Sequence, residues 1–299
     1  MTFLTDPVGW WIEPFTSNPF MTKALAAGLL AVLTTSMVGT WVVLRSLNFL
    51  GDALAHGVLP GIAIAFIVGF DTSLGALVAA IVMVSAISFI PRISPLSEDT
   101  SIGVLFVGLL ALAVVIMSSG AAAGTGDIDR FLFGSITGVQ NVDLVRQAVV
   151  SVVAVGGAVV FYRAFFVMTF CEVQAEMARL RPRLMHGVLM ALLAVTIVGS
   201  FQVVGSLLVM AFLIAPPATA AMFVRRVPLI MIAAVLIGAV SVYVGLLLSY
   251  HHRLAGGASM ALTAVAILFA TMLIRALVFA LRPGPPDDAL PVQMLADSR

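Results

Sequence analysis

The chain is organised as long apolar runs, separated by short polar segments or by segments rich in Gly and Pro. Within each run the apolar positions are continuous and do not alternate with polar ones, which favours membrane-spanning helices over the strands of a barrel. A helix needs about 20 residues to cross the hydrocarbon core, and the pattern predicts about nine such helices, within a range of roughly eight to ten. The predicted spans cover residues 20–44, 53–69, 73–91, 101–119, 143–162, 187–201, 203–223, 229–250 and 259–280.

Composition supports the same class of protein. Hydrophobic residues make up 62% of the 299 positions and charged residues only 10%, whereas soluble domains carry about 25% charged residues. We therefore predict an all-α polytopic membrane protein. The net charge of +1 gives no reason to expect a nucleic-acid partner. The single cysteine, Cys171, excludes an internal disulfide and a metal cage built from cysteines.

The distribution of arginine predicts the orientation, because cytoplasmic loops carry an excess of Lys and Arg. With the N-terminus outside, the inner loops receive Arg45, Arg92, Arg163, Arg179, Arg181, Arg183, Arg225, Arg226 and Arg282. The outer loops then receive only Lys23, Arg130, Arg146 and Arg253. The C-terminus is accordingly predicted to be cytoplasmic. This gives an outer interfacial segment over 1–19, a transmembrane domain over 20–281 and a disordered cytoplasmic tail over 282–299.

Two segments between the predicted spans are unusual. Residues 120–142 are too polar and too rich in Gly to span, yet contain "FLF", which indicates a partly re-entrant or surface-packed element. Residues 163–186 hold four arginines and a helical pattern, and form a long cytoplasmic insertion. Two interpretations of the insertion stay open. It is either a solvated amphipathic helix on the inner leaflet or a docking surface for a partner protein.

An acid and an imidazole stand four residues apart at the start of the second apolar run. Asp52 leads directly into the run, and His56 follows one helical turn later on the same face. A carboxylate oxygen and an imidazole nitrogen at this spacing can share one divalent cation. The alternative is that Asp52 only favours the helix dipole and forms a hydrogen bond with His56. Two copies meeting at a two-fold axis would supply four ligands, the number usual for zinc.

Neighbouring residues add to this candidate site. Pro60 lacks an N–H group, so the carbonyl of His56 loses its usual helical partner. Gly57 and Gly61 are spaced to let another helix approach closely. Further along, Pro216-Pro217 would free two more carbonyls, as a packing kink or as a gate.

The remaining histidines are weaker candidates. His186 is expected near the membrane surface at the end of the cytoplasmic insertion. His251 and His252 are expected in an outer loop, where histidines usually serve only as polar residues.

Several stretches together resemble the permease subunits of zinc, manganese and iron ATP-binding-cassette (ABC) importers, the ABC-3 family. They are "SLNFLGDALAHGVLPGIAIAF", "SIGVLFVGLLALAVVIMSS", "FLFGSI", "FQVVGSLLVMAFLIAPPATAAMF" and "SYHHRLAGGASMAL", in this order. The resemblance covers roughly residues 20–281. It implies a fold like that of type II ABC importers, and it implies that the metal-contacting Asp and His of the family are Asp52 and His56.

The resemblance also implies partners and cargo. It implies a second permease copy in a homodimer, a cytoplasmic ABC ATPase bound through about 163–186, and an extracytoplasmic metal-binding protein. The cargo would be Zn²⁺, Mn²⁺ or Fe²⁺, with no permanently bound cofactor, and the location would be the bacterial plasma (inner) membrane. One departure concerns coupling to the ATPase, because Cys171 and Arg179 stand where the family usually has Asp and Gly.

The chain itself is not expected to be an enzyme. It has no G-x-x-x-x-G-K-[ST] loop, so ATP would be bound and hydrolysed only in the partner subunit. Two other functions stay open on the sequence alone. One is a gradient-driven metal carrier or channel, and the other is a type II ABC permease for a siderophore or cobalamin.

Overall fold

The computed structural model describes residues 7–118, 138–170, 177 and 180–281, and every element in these residues is a helix. The helices are α1 (Pro7–Ser17), α2 (Pro19–Leu44), α3 (Asn48–Gly57), α4 (Leu59–Val68), α5 (Thr72–Ile93), α6 (Glu98–Ser118), α7 (Asn141–Val160), α8 (Tyr162–Phe170), α9 (Pro182–Val204), α10 (Ser206–Phe223), α11 (Val227–His252) and α12 (Gly256–Leu281). The predicted all-α fold is therefore confirmed.

Nine segments of the described chain are long and apolar enough to cross a membrane, which agrees with the predicted number. They are α2, α3 with α4 as one span, α5, α6, α7, α9, α10, α11 and α12. The second span begins at Asn48, five residues earlier than predicted, because the polar residues of "NFLGD" join the helix instead of preceding it. The sixth span begins at Pro182, where the fixed φ of proline suits the first turn of a helix.

Helix α2 is the centre of the bundle and contacts α7, α9, α10 and α11. Small side chains on α2, among them Ala24, Ala27 and Ala31, are fully buried and allow these neighbours to approach. The indole of Trp41 is also fully buried, and it meets Phe165 of α8 edge to face at a centroid distance of 5.7 Å. By contrast, the outward side of α12 is exposed along most of its length, as expected for a helix that faces lipid or a partner.

Helices α3 to α6 form a second group beside this centre. α4 packs on α5 and α6, and α3 packs on α6, α9 and α10. At the α4–α5 crossing the two backbones are in direct contact, since a Cβ atom on Gly61 would collide with the carbonyl of Gly75, and one on Gly75 with the carbonyl of Gly61. The predicted close approach at Gly61 is thus confirmed.

A buried polar cluster ties α2, α7 and α9 together. The hydroxyls of Thr34 and Ser151 lie 2.6 Å apart, and the amide of Gln147 donates to the hydroxyl of Ser200 at 3.0 Å. All four residues are at most 3% exposed. Because unpaired polar groups are costly inside a membrane, these bonds fix the relative positions of the three helices.

The predicted terminal and connecting segments are described only in part. In the predicted outer segment, α1 packs on α2 and on the end of α11, and Tyr243 donates to the backbone carbonyl of Trp11 at 2.8 Å. In the predicted insertion, α8 turns its Phe165 and Met168 into the core. The central part of that insertion, including Cys171 and Arg179, most of the loop 120–142 and the tail 282–299 lie outside the described residues.

Candidate functional site

Helix α3 carries both residues of the predicted metal site. Its buried face consists of Leu50, Gly51, Ala53, Leu54, Ala55 and Gly57. Asp52 and His56 lie on the remaining face, with 43% and 27% of their side chains exposed. Because α3 begins at Asn48, Asp52 sits in the second turn of the helix and not at its mouth. Both groups therefore lie within the span, at the surface of the protomer.

The two side chains are in contact. Nδ1 of His56 lies 3.5 Å from Oδ1 of Asp52 and 3.1 Å from the backbone carbonyl oxygen of Asp52. In the tautomer that carries the proton on Nδ1, the ring donates to this carbonyl, and Nε2 keeps its lone pair for a metal ion. The carboxylate of Asp52 stands beside the ring as an oxygen donor. The arrangement offers one nitrogen and one carboxylate ligand on a single face.

One aromatic ring of α6 contacts the imidazole, and a ring of α3 supports it. The ring of Phe106 meets that of His56 edge to face, with centroids 5.7 Å apart and an interplanar angle of 89°. Phe106 in turn contacts Phe49 of α3 at 6.1 Å. Sequence reasoning did not identify Phe106, because a phenylalanine in an apolar run looks like any other packing residue. The contact restricts the His56 ring and places apolar surface beside the candidate ligands.

A break in the span follows His56 directly. Helix α3 ends at Gly57 and α4 begins at Leu59, with Pro60 in its first turn. This is the position at which the missing N–H of Pro60 interrupts the hydrogen-bond ladder. Gly57 lies against the sulfur of Met83, where a Cβ atom would collide. Gly57 and Pro60 therefore let α3 and α4 pack against α5 immediately after His56 along the chain.

Asn48 extends the polar face of α3 by one turn toward the N-terminus of the helix. Asn48, Asp52 and His56 recur every four residues, so they lie on one side of α3. The Oδ1 atom of Asn48 is buried and has no hydrogen-bond partner among the described residues. Asn48 was not predicted from the sequence, although its spacing from Asp52 was the available signal.

The other histidines lie in different parts of the structure. His251 stacks on Trp10 with ring centroids 4.3 Å apart, and its Nε2 lies 3.2 Å from the Trp10 carbonyl oxygen. Nδ1 of His186 lies 3.4 Å from Nη1 of Arg45. Among the described residues, no group of three or more His, Cys, Asp or Glu side chains could hold a metal ion. Within the described residues of one protomer, Asp52 and His56 are thus the candidate pair of ligands.

Comparison with known proteins gives a consistent family. Residues 17–275 match the ABC 3 transport family. A Listeria monocytogenes protein named manganese transport system membrane protein MntC is 33% identical over 263 residues, which is 88% of this chain and 93% of that protein. A Haemophilus influenzae protein named "Probable iron transport system membrane protein" is 32% identical over 249 residues, covering 83% of this chain and 91% of that protein.

A solved structure has the same fold. PsaBC from Streptococcus pneumoniae, determined in complex with a Fab, superposes with a TM-score of 0.81 at 29% sequence identity, and the match covers 90% of this chain and 98% of that one. The family match extends over most of the chain, from the last residue of α1 into α12. The chain therefore belongs to the ABC 3 transport family, as its sequence motifs suggested, and is the multi-pass membrane permease of an ABC importer whose ATPase is a separate subunit.

Proposed function

We propose that this permease imports a divalent metal ion and that Asp52 and His56 bind the ion as it crosses the membrane. The observation that carries the proposal is the contact between a carboxylate and an imidazole on a partly exposed face inside a span. Charged residues within spans are costly and usually mark an ion pathway. The names of the Listeria and Haemophilus relatives favour Mn²⁺ or Fe²⁺ as cargo. Zn²⁺ accepts the same nitrogen and oxygen donors and is the third candidate.

The small number of ligands suits transport. An ion must leave the pathway as readily as it enters, so a site that binds only moderately well conducts better than a complete cage. A second copy of the chain, related by a two-fold axis, would bring a second Asp52 and His56 to the same place. The 43% exposure of the Asp52 side chain leaves this face open to such a partner. We therefore propose a homodimer with the pathway at its interface.

The two ends of the bundle suit different partners. The segment about 163–186 contains four arginines in its sequence, and we propose that it binds the cytoplasmic ABC ATPase. In this orientation the C-terminus would be cytoplasmic, and we propose the bacterial plasma membrane as the location. The opposite end, which includes α1 and the loop after α11, would receive the metal from an extracytoplasmic binding protein. ATP-driven movement of the partner subunits would then alternate access to the ion.

Two other functions have less support. A gradient-driven carrier would use several carboxylates within the membrane, whereas Glu98, Asp99 and Asp143 lie in the first turns of their helices. A permease for a siderophore or cobalamin would need a wide apolar pathway. The Asp52–His56 pair favours a bare ion over these larger substrates.

The decisive experiment is metal-stimulated ATP hydrolysis by the chain purified together with its ATPase. We expect Mn²⁺ or Fe²⁺, delivered by the binding protein, to stimulate hydrolysis, and we expect Asp52→Ala or His56→Ala to abolish the stimulation. Asp99→Ala and His252→Ala are matched controls, because both side chains are exposed near helix ends. Full stimulation of both site variants would refute the role of the pair, and metal uptake by the chain alone in liposomes would indicate a carrier.

Cross-linking tests the proposed dimer. In a Cys171→Ser background, a cysteine at Phe49 would lie on the exposed surface beside Asp52, since Phe49 is 46% exposed. We expect Phe49→Cys to form a disulfide-linked dimer in membranes, and we expect Val152→Cys on α7 to remain monomeric. Equal cross-linking of the two variants, or none at Phe49→Cys, would contradict a shared pathway at this face.

A further inference from the structure

A cleft at one end of the bundle combines apolar walls with an arginine. It lies between the C-terminal parts of α10 and α12, has a volume of about 840 Å³, and is lined by Met222, Phe223, Met272, Arg275, Val278 and Phe279 among others. Phe223 and Phe279 are 68% and 79% exposed. The walls of the cleft therefore face outward at this end of the bundle. They contact lipid unless a partner protein covers the cleft.

When Gly256, the start of α12, is taken as one boundary of the hydrocarbon core, the length of the helix puts Arg275 close to the other boundary. Arg275 follows the start of α12 at Gly256 by 19 positions, which corresponds to about 28 Å of helix. This distance is close to the hydrocarbon thickness of about 30 Å. An arginine side chain at this depth can extend its guanidinium into the headgroup layer while its methylene groups stay on apolar surface.

Only part of the hydrogen-bonding capacity of Arg275 is used within the described protein. Its Nη1 donates to the backbone carbonyl oxygen of Met222 at 3.1 Å, at the end of α10. A guanidinium has five N–H donors, and its planar fork fits a phosphate group. Arg225 and Arg226 are also exposed and follow Phe223 by two and three residues. Within the described part of the chain, none of these three arginines forms an ion pair.

We propose that this cleft is a binding site for an anionic phospholipid. The phosphate would lie on Arg275, with Arg225 and Arg226 adding positive charge, and an acyl chain would lie along Met272, Val278 and Phe279. Basic pockets between transmembrane helices at the cytoplasmic side are suited to such headgroups. Charge complementarity selects an anionic lipid over phosphatidylcholine, and the apolar walls select a lipid over free phosphate. The bound lipid would brace α12, which is otherwise exposed along its outward side.

The test uses the full chain, purified with its ATPase and reconstituted in nanodiscs of phosphatidylcholine with a minor fraction of spin-labelled phosphatidylglycerol. We expect Arg275→Gln to weaken lipid binding about fivefold, since each basic residue near the surface contributes about 1 kcal/mol. Arg253→Gln is the matched control. Arg253 is an exposed arginine in the turn between α11 and α12, at the end of α12 that is far from the cleft. Added inorganic phosphate should not displace the lipid.

A second variant separates lipid binding from a loss of structure. Arg275→Gln also removes the donor to Met222, whereas the double variant Arg225→Gln/Arg226→Gln leaves that bond intact. We expect the double variant to lose affinity for phosphatidylglycerol while keeping its thermal stability in phosphatidylcholine. Equal lipid binding by the wild type and both variants would overturn the proposal. So would unchanged lipid binding together with loss of the ATPase subunit, because the cleft would then be a protein-binding site.

Discussion

The carbonyl group of Leu213 lies directly against the backbone of Gly39, so that a Cβ atom at position 39 would collide with it. Pro217 stands four residues after Leu213 and has no N–H group to donate to this carbonyl. Helix α10 nevertheless continues through Pro216 and Pro217, and both prolines are buried. The freed carbonyl and the glycine thus form one contact between α10 and α2. This arrangement favours the packing interpretation of the proline pair, and a gate at this point stays a prediction.

We predict that Gly39→Ala destabilises the protein. The added methyl group would push α2 away from α10 at a point where the opposing atoms are backbone and cannot rotate aside. Overpacking of this kind typically costs about 1–3 kcal/mol. The measurement is thermal unfolding of the purified chain in detergent. Gly156→Ala on α7 is the control, because no heavy atom lies within 4 Å of a Cβ atom built there, and it should leave the melting temperature unchanged or raise it slightly.

The number and class of elements could be predicted from the sequence because lipid imposes one requirement on every span. The backbone N–H and C=O groups of each span must form hydrogen bonds within that span. A run of about 20 apolar residues is therefore sufficient to identify a helix. Helix ends were less predictable. The span that carries Asp52 begins at Asn48, since a few polar residues can join the first turns of a helix near the membrane surface.

The candidate site was predictable only to the extent that it lies on one helix. The spacing of Asp52 and His56 predicts that they share a face, and they are in contact. Phe106 comes from α6, about 50 positions away, and no local pattern could place its ring on His56. The Gly61–Gly75 contact is similar, because the glycine on α4 was recognised while its partner on α5 was not. Contacts between helices depend on packing that a single sequence does not record.

The polar bond between α7 and α9 should contribute to stability. Ser200→Ala removes the acceptor of the Gln147 amide in a region that is fully buried. An unsatisfied buried donor costs about 1–3 kcal/mol, so we expect a lower melting temperature. Ser88→Ala is the control, because the hydroxyl of Ser88 is exposed and bonds only to the Val84 carbonyl of its own helix. A melting temperature that falls equally in both variants would contradict the assigned role of the Gln147–Ser200 bond.

Asp71 should give the α4–α5 turn a pH-dependent stability. Hydrogen bonds from the side chain and backbone N–H of Ser73 hold the pKa of the Asp71 carboxyl below its usual value, and Arg146 adds a smaller effect. A carboxyl whose pKa is lowered by folding stabilises the protein above its unfolded pKa of about 3.9, and this contribution is lost as the pH falls through the folded pKa.

Two variants of Asp71 separate its cap from its charge. The carboxylate caps α5 by accepting from the Ser73 backbone N–H at 2.7 Å. Asp71→Ala should cost about 1 kcal/mol at neutral pH through loss of the cap, and Asp71→Asn much less. The Arg146 contact at 3.9 Å is exposed and should add little. Thermal unfolding between pH 7 and pH 3 measures both effects. If the melting temperature of Asp71→Asn falls between pH 7 and pH 3 as much as that of the wild type, the charge of Asp71 does not contribute to the pH dependence of stability.

Asn48 is the residue at which we expect the ion path to continue from Asp52. It lies one helical turn from Asp52, which is a rise of about 6 Å. Its Oδ1 atom is buried without a hydrogen-bond partner in the described residues. An amide oxygen is a suitable ligand for Mn²⁺ or Fe²⁺, and an unpaired one is available to an ion that leaves Asp52. We predict that Asn48→Leu lowers metal-stimulated ATP hydrolysis several-fold and that Asn48→Asp, which keeps an oxygen at this position, retains more of it.

The ATP hydrolysis of Asn48→Leu is compared with that of Asp52→Ala and with that of a control variant. Asn141→Leu, at the exposed start of α7, is the matched control and should hydrolyse ATP as the wild type does. If Asn48→Leu matches the wild type at every metal concentration while Asp52→Ala is inactive, the path does not pass Asn48, although the proposed function stands. If Asn48→Leu and Asn141→Leu are both impaired in basal hydrolysis without metal, the effect is structural. A loss confined to the metal-stimulated rate of Asn48→Leu would place a third ligand on the Asp52–His56 side of α3, one turn before Asp52.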